Sequence, residues 1–265
     1  TSKIVGLLSG SLTSTPAFSA AKATAVERYG IDYERYVTVG HGVAYLFGVI
    51  GVVLFVQLIP KLAKADMAAE REKITAIDTG DREDSGKKRI EMDPFGLAAF
   101  ALAVVIGILV GAVKFFGVFN LTTTGGVLIV ALLFGHFNHI GPVSIMPKES
   151  TLKVFRELGL MLFLIGAGVA GGINFVDCFN PLDFLYGAIM TIIPMIIGYL
   201  FAKYVLKLPL LNNLGSITGG MTSTPALGTL INVAGTESVA SAYAATYPFA
   251  LISVVLVSEF LIILF

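Results

Sequence analysis

The sequence predicts an all-α polytopic membrane protein built around an internal duplication and interrupted helices. Three observations predict it. The chain is 55% hydrophobic and 14% charged, whereas a soluble domain carries about a quarter charged residues. Apolar stretches of roughly the 20 residues needed to cross a bilayer recur along it. The pentapeptide TSTPA occurs twice, at 13–17 within GLLSGSLTSTPAF and at 222–226 within GSITGGMTSTPAL. A formal net charge of zero gives nucleic acid nothing to bind. The single cysteine, Cys178, excludes an internal disulfide. With no Trp, any interfacial aromatic belt falls to the tyrosines. No cleavable signal pattern is visible, and the chain opens without Met or a basic lead, so further residues are expected ahead of Thr1.

Taken in order, residues 1–20 are small, apolar and hydroxyl-rich, and 21–35 read as a polar surface loop or short helix. Residues 36–60 make a transmembrane helix ending at a proline, which closes a first membrane part at 1–60. The stretch 61–93 holds eight Lys/Arg and nine Asp/Glu. Such a run neither sits in lipid nor builds a core, so it is expected as a solvent-exposed cytoplasmic linker. Within it, ADMAAEREKI reads as a helix end and TAIDTGDREDSGKKRIEMDP as the tail of a soluble domain, with residues expected to be missing near 73–76. Residues 94–265 form the second membrane part. Its expected segments are a helix over 95–119, a shorter Gly-rich one over 123–140, helices over 152–176 and 183–206 (the latter with Pro194), the second TSTPA segment over 212–233, and a final helix over 239–265.

Loop charges set the orientation. The linker, the Lys148–Lys153–Arg156 cluster and the Lys203–Lys207 pair all belong on the cytoplasmic side, and the loop near Asp177–Asp183 carries no Lys or Arg.

The two TSTPA stretches align 209 positions apart, matching Gly6 with Gly215 and Gly10 with Gly219. A polar stretch and a Tyr-led apolar helix follow each, Tyr36 leading one and Tyr243 the other. Such likeness over about fifty residues marks a duplication, frequent in secondary transporters and often inverted. The first copy has almost nothing ahead of its motif; a matching half needs about two hundred more residues. If the repeats are inverted, one segment after the linker fails to cross, and the TSTPA segment is the expected broken or re-entrant one, with 123–140 as the alternative.

The motif has a chemical logic. Proline removes a backbone donor and pushes the residue before it out of the α region, and glycines just upstream let the chain turn. A helix interrupted in lipid must satisfy its freed backbone groups inside protein or beside water. The new helix N-terminus offers free N–H groups and partial positive charge, suited by Pro in its first turn. With the neighbouring hydroxyls it forms a neutral cradle for a carboxylate. The candidate substrate-binding residues are therefore Gly10, Ser11, Thr13, Ser14, Thr15 and Pro16 in one copy, and Gly219, Gly220, Thr222, Ser223, Thr224 and Pro225 in the other. The bland reading is that small hydroxyl residues only let helices pack.

Other polar residues carry less. His136 and His139 share one helix face by spacing but lack further ligands, so no metal is expected. His136, Asn138 and Tyr247 are candidate pathway residues, and Asn174, Asn212 and Asn213 candidate cavity liners. Lys114 is expected to snorkel from its helix end, Arg156 to pair with Glu157, and Glu259 to sit at the exposed interface. No enzyme or cofactor pattern is present.

The paired GSLTSTPA and GGMTSTPALG, the run ELGLMLFLIGAGVAGG at 157–172 and YAATYPFALI near the end resemble the aspartate:alanine exchanger family of bacterial inner-membrane transporters. The resemblance implies two inverted membrane halves and a cytoplasmic region carrying soluble domains similar to the C-terminal domains of potassium-uptake regulators. It also implies dimerisation and exchange or export of amino acids or C4-dicarboxylates. The chain departs in its missing first half and short linker. The expected function is secondary transport of small carboxylates by alternating access, with a channel gated by cytoplasmic domains or a non-transporting scaffold as alternatives. The expected partners are the substrate, lipid and a second copy.

Overall fold

Helix ends fall where short polar side chains, Pro and Gly stand. The computed structural model describes residues 1–78, 90–115, 119–120, 122–173 and 180–265. In chain order the helices are α1 (Ser2–Ser11), α2 (Thr15–Tyr29), α3 (Glu34–Leu62), α4 (Met67–Asp78), α5 (Leu97–Gly111), α6 (Thr122–Phe137), α7 (Glu149–Ile173), α8 (Pro181–Tyr204), α9 (Leu210–Gly220), α10 (Thr224–Ala234) and α11 (Val239–Leu264). Asn180 opens α8, its Oδ1 accepting from the Leu182 amide at 3.0 Å, with Pro181 in the first turn. Gly235, left-handed at φ 66°, closes α10. The chain divides into two units, Thr1–Glu83 with Gly171–Phe265, and Asp84–Ala170.

The first unit is apolar outside and also buries polar and charged side chains within. Along α3, Leu46, Ile50, Leu54 and Leu58 are exposed at every fourth position, while Ala44, Gly48, Val52, Val56 and Pro60 are buried on the opposite stripe. Along α11, Ile252, Leu256 and Phe260 face out, and Ser258 and Glu259 are buried. A soluble protein hides its large apolar side chains and exposes its charges, so this pattern fits helices solvated by lipid. α3 with the 3-10 turn before it, α8 and α11 are each long and apolar enough to cross a membrane. The shortest, α8 with 24 residues, spans about 36 Å at 1.5 Å per residue. The structure is thus an all-α membrane protein in its spanning parts.

Within this unit α1 packs on α3 and α9 on α11; α2 packs on α11 and α10 on α3; α8 lies against α3 and α1. Among the described residues four apolar clusters result, of which two bear on the breaks and on α4. One joins Val5, Ala21, Ala25, Val37 and Ile262. The other joins Val56, Leu211, Leu214, Leu227, Leu230, Val239 and, from α4, Ile74.

That last residue corrects the expectation of an entirely exposed linker. α4 runs unbroken across 74–75, where the sequence suggested a junction, and buries Ile74 to 1% exposure. Glu70 Oε2 also accepts from the Leu210 amide at 2.9 Å, satisfying one free donor at the start of α9. Ile74, with Met67 packed partly buried against the same cluster, anchors this charged helix. Ile74→Ala is expected to weaken docking by about 2–5 kcal/mol. Tryptic cleavage after the exposed Arg71 and Lys73 should then accelerate at least tenfold, with the spanning helices left intact. The rest of the expected linker, 79–89, lies outside the described residues.

The second unit opens with Asp93. Its carboxylate accepts from the amides of Phe95, Leu97 and Ala98 at 3.2, 2.9 and 3.0 Å. Partial desolvation works against the anion, but these donors outweigh it and hold the carboxyl below its ordinary range. α5 and α6 pack closely through Gly107 and Gly126. The helix expected over 95–119 is shorter than read: α5 ends at Gly111, about 22 Å long. Lys114–Phe115 instead pairs antiparallel with Phe119–Asn120. Lys114 therefore belongs to a strand, not a helix end. A second correction concerns His136 and His139. α6 stops at Phe137, Asn138 is left-handed at φ 66°, and His139 enters a short strand with Ile140 that pairs with Val143–Ser144. The two histidines share no helix face.

Candidate functional site

Each TSTPA stretch joins two helices through the same turn. After α1, Leu12 is followed by Thr13 at φ 52° and by Ser14 at φ −95°, ψ 99°, which heads α2. After α9, Met221 is followed by Thr222 at φ 50° and by Ser223 at φ −95°, ψ 94°, which heads α10. The backbone bonds repeat as well. Thr13 N donates to Gly10 O at 2.9 Å and Ser14 N to Ser9 O at 2.8 Å; Thr222 N donates to Gly219 O and Ser223 N to Thr218 O, both at 3.0 Å. This is a Schellman ending, in which glycine normally takes the left-handed position. A β-branched residue there is uncommon and costs about 1–2 kcal/mol.

Threonine offers what glycine lacks, a hydroxyl. Thr13 Oγ1 donates to Met221 O at 3.0 Å, and Thr222 Oγ1 donates to Leu12 O at 2.7 Å. The two breaks are in direct contact, and each strained threonine bonds the backbone of the other break. Both threonines and both following serines are buried.

The flanking helices match in the same way. A Cβ on Gly6 would strike the carbonyl of Val37, and one on Gly10 that of His41. A Cβ on Gly215 would strike Val239 O, and one on Gly219 the carbonyl of Tyr243. Ser9 Oγ donates to Gly6 O at 2.9 Å, as Thr218 Oγ1 does to Gly215 O at 2.8 Å. Position by position, His41 and Tyr45 on α3 stand where Tyr243 and Tyr247 stand on α11, each pair in ring contact at 5.3 and 5.0 Å between centroids. This corrects the pairing of Tyr36 with Tyr243. The second stretch has a shorter α10 and no 3-10 turn before its long helix, so the helix register shifts.

Donor accounting narrows what the hydroxyls can do. A carboxylate accepts only. The protons of Thr13 and Thr222 already go to carbonyls across the breaks, and that of Ser11 goes to Leu7 O at 2.7 Å. Ser14 Oγ accepts from Ala17 N at 3.4 Å, while the buried Ser223 Oγ has no partner. Thr15 and Thr224 are half-buried in the first turn of their helices with Pro16 and Pro225 beside them, and Thr224 Oγ1 lies 3.4 Å from the Tyr243 hydroxyl. Each N-terminus adds unpaired amides and a partial charge of about +0.5. Gly220 has open space where a side chain would project. Tyr247 is half-buried and stacks on Tyr243, so it neighbours the second break.

The remaining candidates scatter. His136 and Asn138 are exposed in the second unit at the end of α6. Asn213 is buried and donates to Tyr199 O at 3.1 Å, Asn212 is half-buried, and Asn174 lies outside the described residues. Arg156 and Glu157 pair at 3.0 Å on the exposed surface of α7. Glu259, expected at the exposed interface, is only 3% exposed, because it falls on the face of α11 that also buries Val255 and Ile262. The reading of the sequence passed over His41. It is 1% exposed, stacked at 4.2 Å on Phe18 and 3.0 Å from Ser9 Oγ. An ionisable side chain inside an apolar span was the available signal. Among the described residues no three His, Cys, Asp or Glu side chains gather as for a metal.

A family profile described as "Predicted Permease Membrane Region", that of the aspartate–alanine exchangers, matches residues 1–61 and 99–263. An uncharacterised transporter of Desulfotalea psychrophila is 36% identical over 164 residues, 61% of this chain and 30% of the relative. One of Bacteroides fragilis is 37% identical over 180 residues, 65% of this chain and 33% of the relative. One of Rhodopirellula baltica is 32% identical over 172 residues, 63% of this chain and 32% of the relative. The matches span about a third of the length of these curated relatives. No solved structure matches. Apolar-faced helices long enough to span a bilayer define the class as a polytopic membrane protein, and the relatives are named as transporters. The profile covers well over half of the chain, and the chain belongs to the aspartate:alanine exchanger family.

Proposed function

We propose that the intact protein is a secondary active transporter that exchanges or exports small carboxylates across the bacterial inner membrane by alternating access. Its cargo on this reading is an aspartate- or alanine-type amino acid or a C4-dicarboxylate, held at the two breaks. The observation that carries the reading is the reciprocal pair of bonds between them, Thr13 to Met221 O and Thr222 to Leu12 O. A reciprocal contact is what a two-fold relation between two like units produces. It supports descent from a duplicated, inverted unit, with two helix N-termini brought to one place, as in other carriers that bind near the midplane. Thr15, Thr224, Ser14 and Ser223, with the amides behind them, supply donors to the carboxylate; Thr13 and Thr222 hold the breaks together.

Full-length protein in liposomes tests this. Counterflow of labelled aspartate, alanine or succinate is expected; conductance far above carrier rates points to a channel, and silence in both to a scaffold. Thr15→Val and Thr224→Val each remove one donor to a charged group while keeping shape. Each is expected to weaken substrate binding about tenfold or more, since such a bond contributes about 1.5–3 kcal/mol, with unchanged yield of folded protein. Parental affinity in both variants would make those hydroxyls structural.

A further inference from the structure

We infer that His41 is a proton-binding site, and that taking up the proton is coupled to movement of α1 away from α3. Substrate enters only the transport readout, which rests on the carrier reading above.

The ring sits at the joint of the first break. Ser9, before the break, approaches Nδ1 at 3.0 Å; Phe18, after it, stacks on the ring with centroids 4.2 Å apart and planes at 22°. Ser9 Oγ lies 2.9 Å from Gly6 O as well, so towards Nδ1 it serves as acceptor or donor according to the protonation of the ring. In the doubly protonated ring Nδ1–H has Ser9 Oγ as its acceptor, and Nε2–H needs another. That nitrogen is buried and has no partner.

Among the described residues no counter-ion is bonded to it. From α1, Lys3 pairs with Asp183 of α8. From α2, Lys22 pairs with Glu34 at 2.6 Å and lies 5.7 Å from the Phe18 ring centroid, while Glu27 and Arg28 stand near the far end of that helix. From α8, Tyr186 is half exposed; from α11, Glu259 is buried among Val255 and Ile262. On α3 itself the nearest titratable ring is Tyr45, at 5.3 Å between centroids. None of them is bonded to Nε2.

Gly6, Gly10 and Gly40 bring α1 and α3 into backbone contact so close that none admits a Cβ. A second ring proton would place a cation with an unpaired N–H at Nε2 in this seat, which low-dielectric surroundings strongly disfavour. The packed seat and the proton thus exclude each other. By linkage, a state with α1 lifted from α3 binds the proton, and the proton stabilises that state. The matching position on α11 is Tyr243, which takes up no proton, so the coupling belongs to one break and to one proton per cycle.

Two measurements decide it. In full-length protein labelled with 15N-histidine, the signal lost in His41→Gln identifies His41. It should pass from the neutral to the doubly protonated form as the pH falls, at a pH displaced by saturating aspartate or succinate. A signal that stays neutral throughout, or that ignores substrate which demonstrably binds, overturns the proposal. In liposomes, a tenfold inward proton gradient should raise labelled-substrate accumulation up to about tenfold in the parent, with one proton per substrate reported by an entrapped pH dye. That stimulation ratio should fall to about one in His41→Gln. A parent that moves substrate with no accompanying proton overturns the proposal without any variant. A parent that moves no carboxylate at all defeats the carrier reading, and the NMR titration then judges His41 alone.

Discussion

Gly6→Ala and Gly10→Ala are each expected to destabilise the first unit by about 3 kcal/mol, at the upper end of what overpacking costs. The added methyl meets a backbone carbonyl in both, Val37 O and His41 O. A carbonyl inside a helix cannot rotate away as a side chain can, so α1 must move off α3. Alanine's higher helix propensity returns at most about 1 kcal/mol. Gly219→Ala should behave likewise, since its Cβ would meet the Tyr243 carbonyl and Thr246 Oγ1. Gly228→Ala is the control: it lies inside α10, is exposed, and has nothing within 4 Å of the added carbon. It should be neutral or stabilising. Thermal unfolding of full-length protein in detergent reads all four. Equal tolerance of Gly10→Ala and Gly228→Ala would refute the close packing.

These positions show what could be read from the sequence and what could not. The breaks were legible because their causes are local: Pro in the first turn, short hydroxyl residues before it, glycines upstream. The three long spans were legible because lipid demands length and apolarity together. α5 was misread since an apolar run does not reveal its own period; beyond Gly111 the Phe- and Val-rich stretch suits a strand as well as a helix. α4 was misread because its sequence is mostly charged or small, and Ile74, helped by Met67, decides where it docks. The register of α3 against α11 depends on glycine contacts that only the packed structure contains. His41 lay in plain view inside a span, yet the lack of a partner at its Nε2 shows only in the packed structure. The reciprocal bonds pair residues about 210 positions apart, and no local pattern announces such a partner.

Those reciprocal bonds support the other large effect. Thr13→Val keeps the branched shape and the left-handed strain but removes the donor, leaving Met221 O short of a partner in a buried site. The expected cost is about 1–3 kcal/mol, and Thr222→Val should match it through Leu12 O. The double variant tests the joint rather than the bonds. If the breaks act as one unit, the first loss already loosens the second bond. The double variant should then cost less than the sum of the single ones, by about 0.5–3 kcal/mol. Thr13→Gly separates strain from bonding: it relieves about 1–2 kcal/mol of backbone strain while losing the same hydrogen bond, so it should unfold near the parental temperature. Transport should fall in Thr13→Gly all the same, because the breaks are no longer tied. A Thr13→Gly protein that is stable and transports at the parental rate would show that the hydroxyl serves neither end. Strict additivity in the valine pair would show that the breaks are neighbours without being coupled.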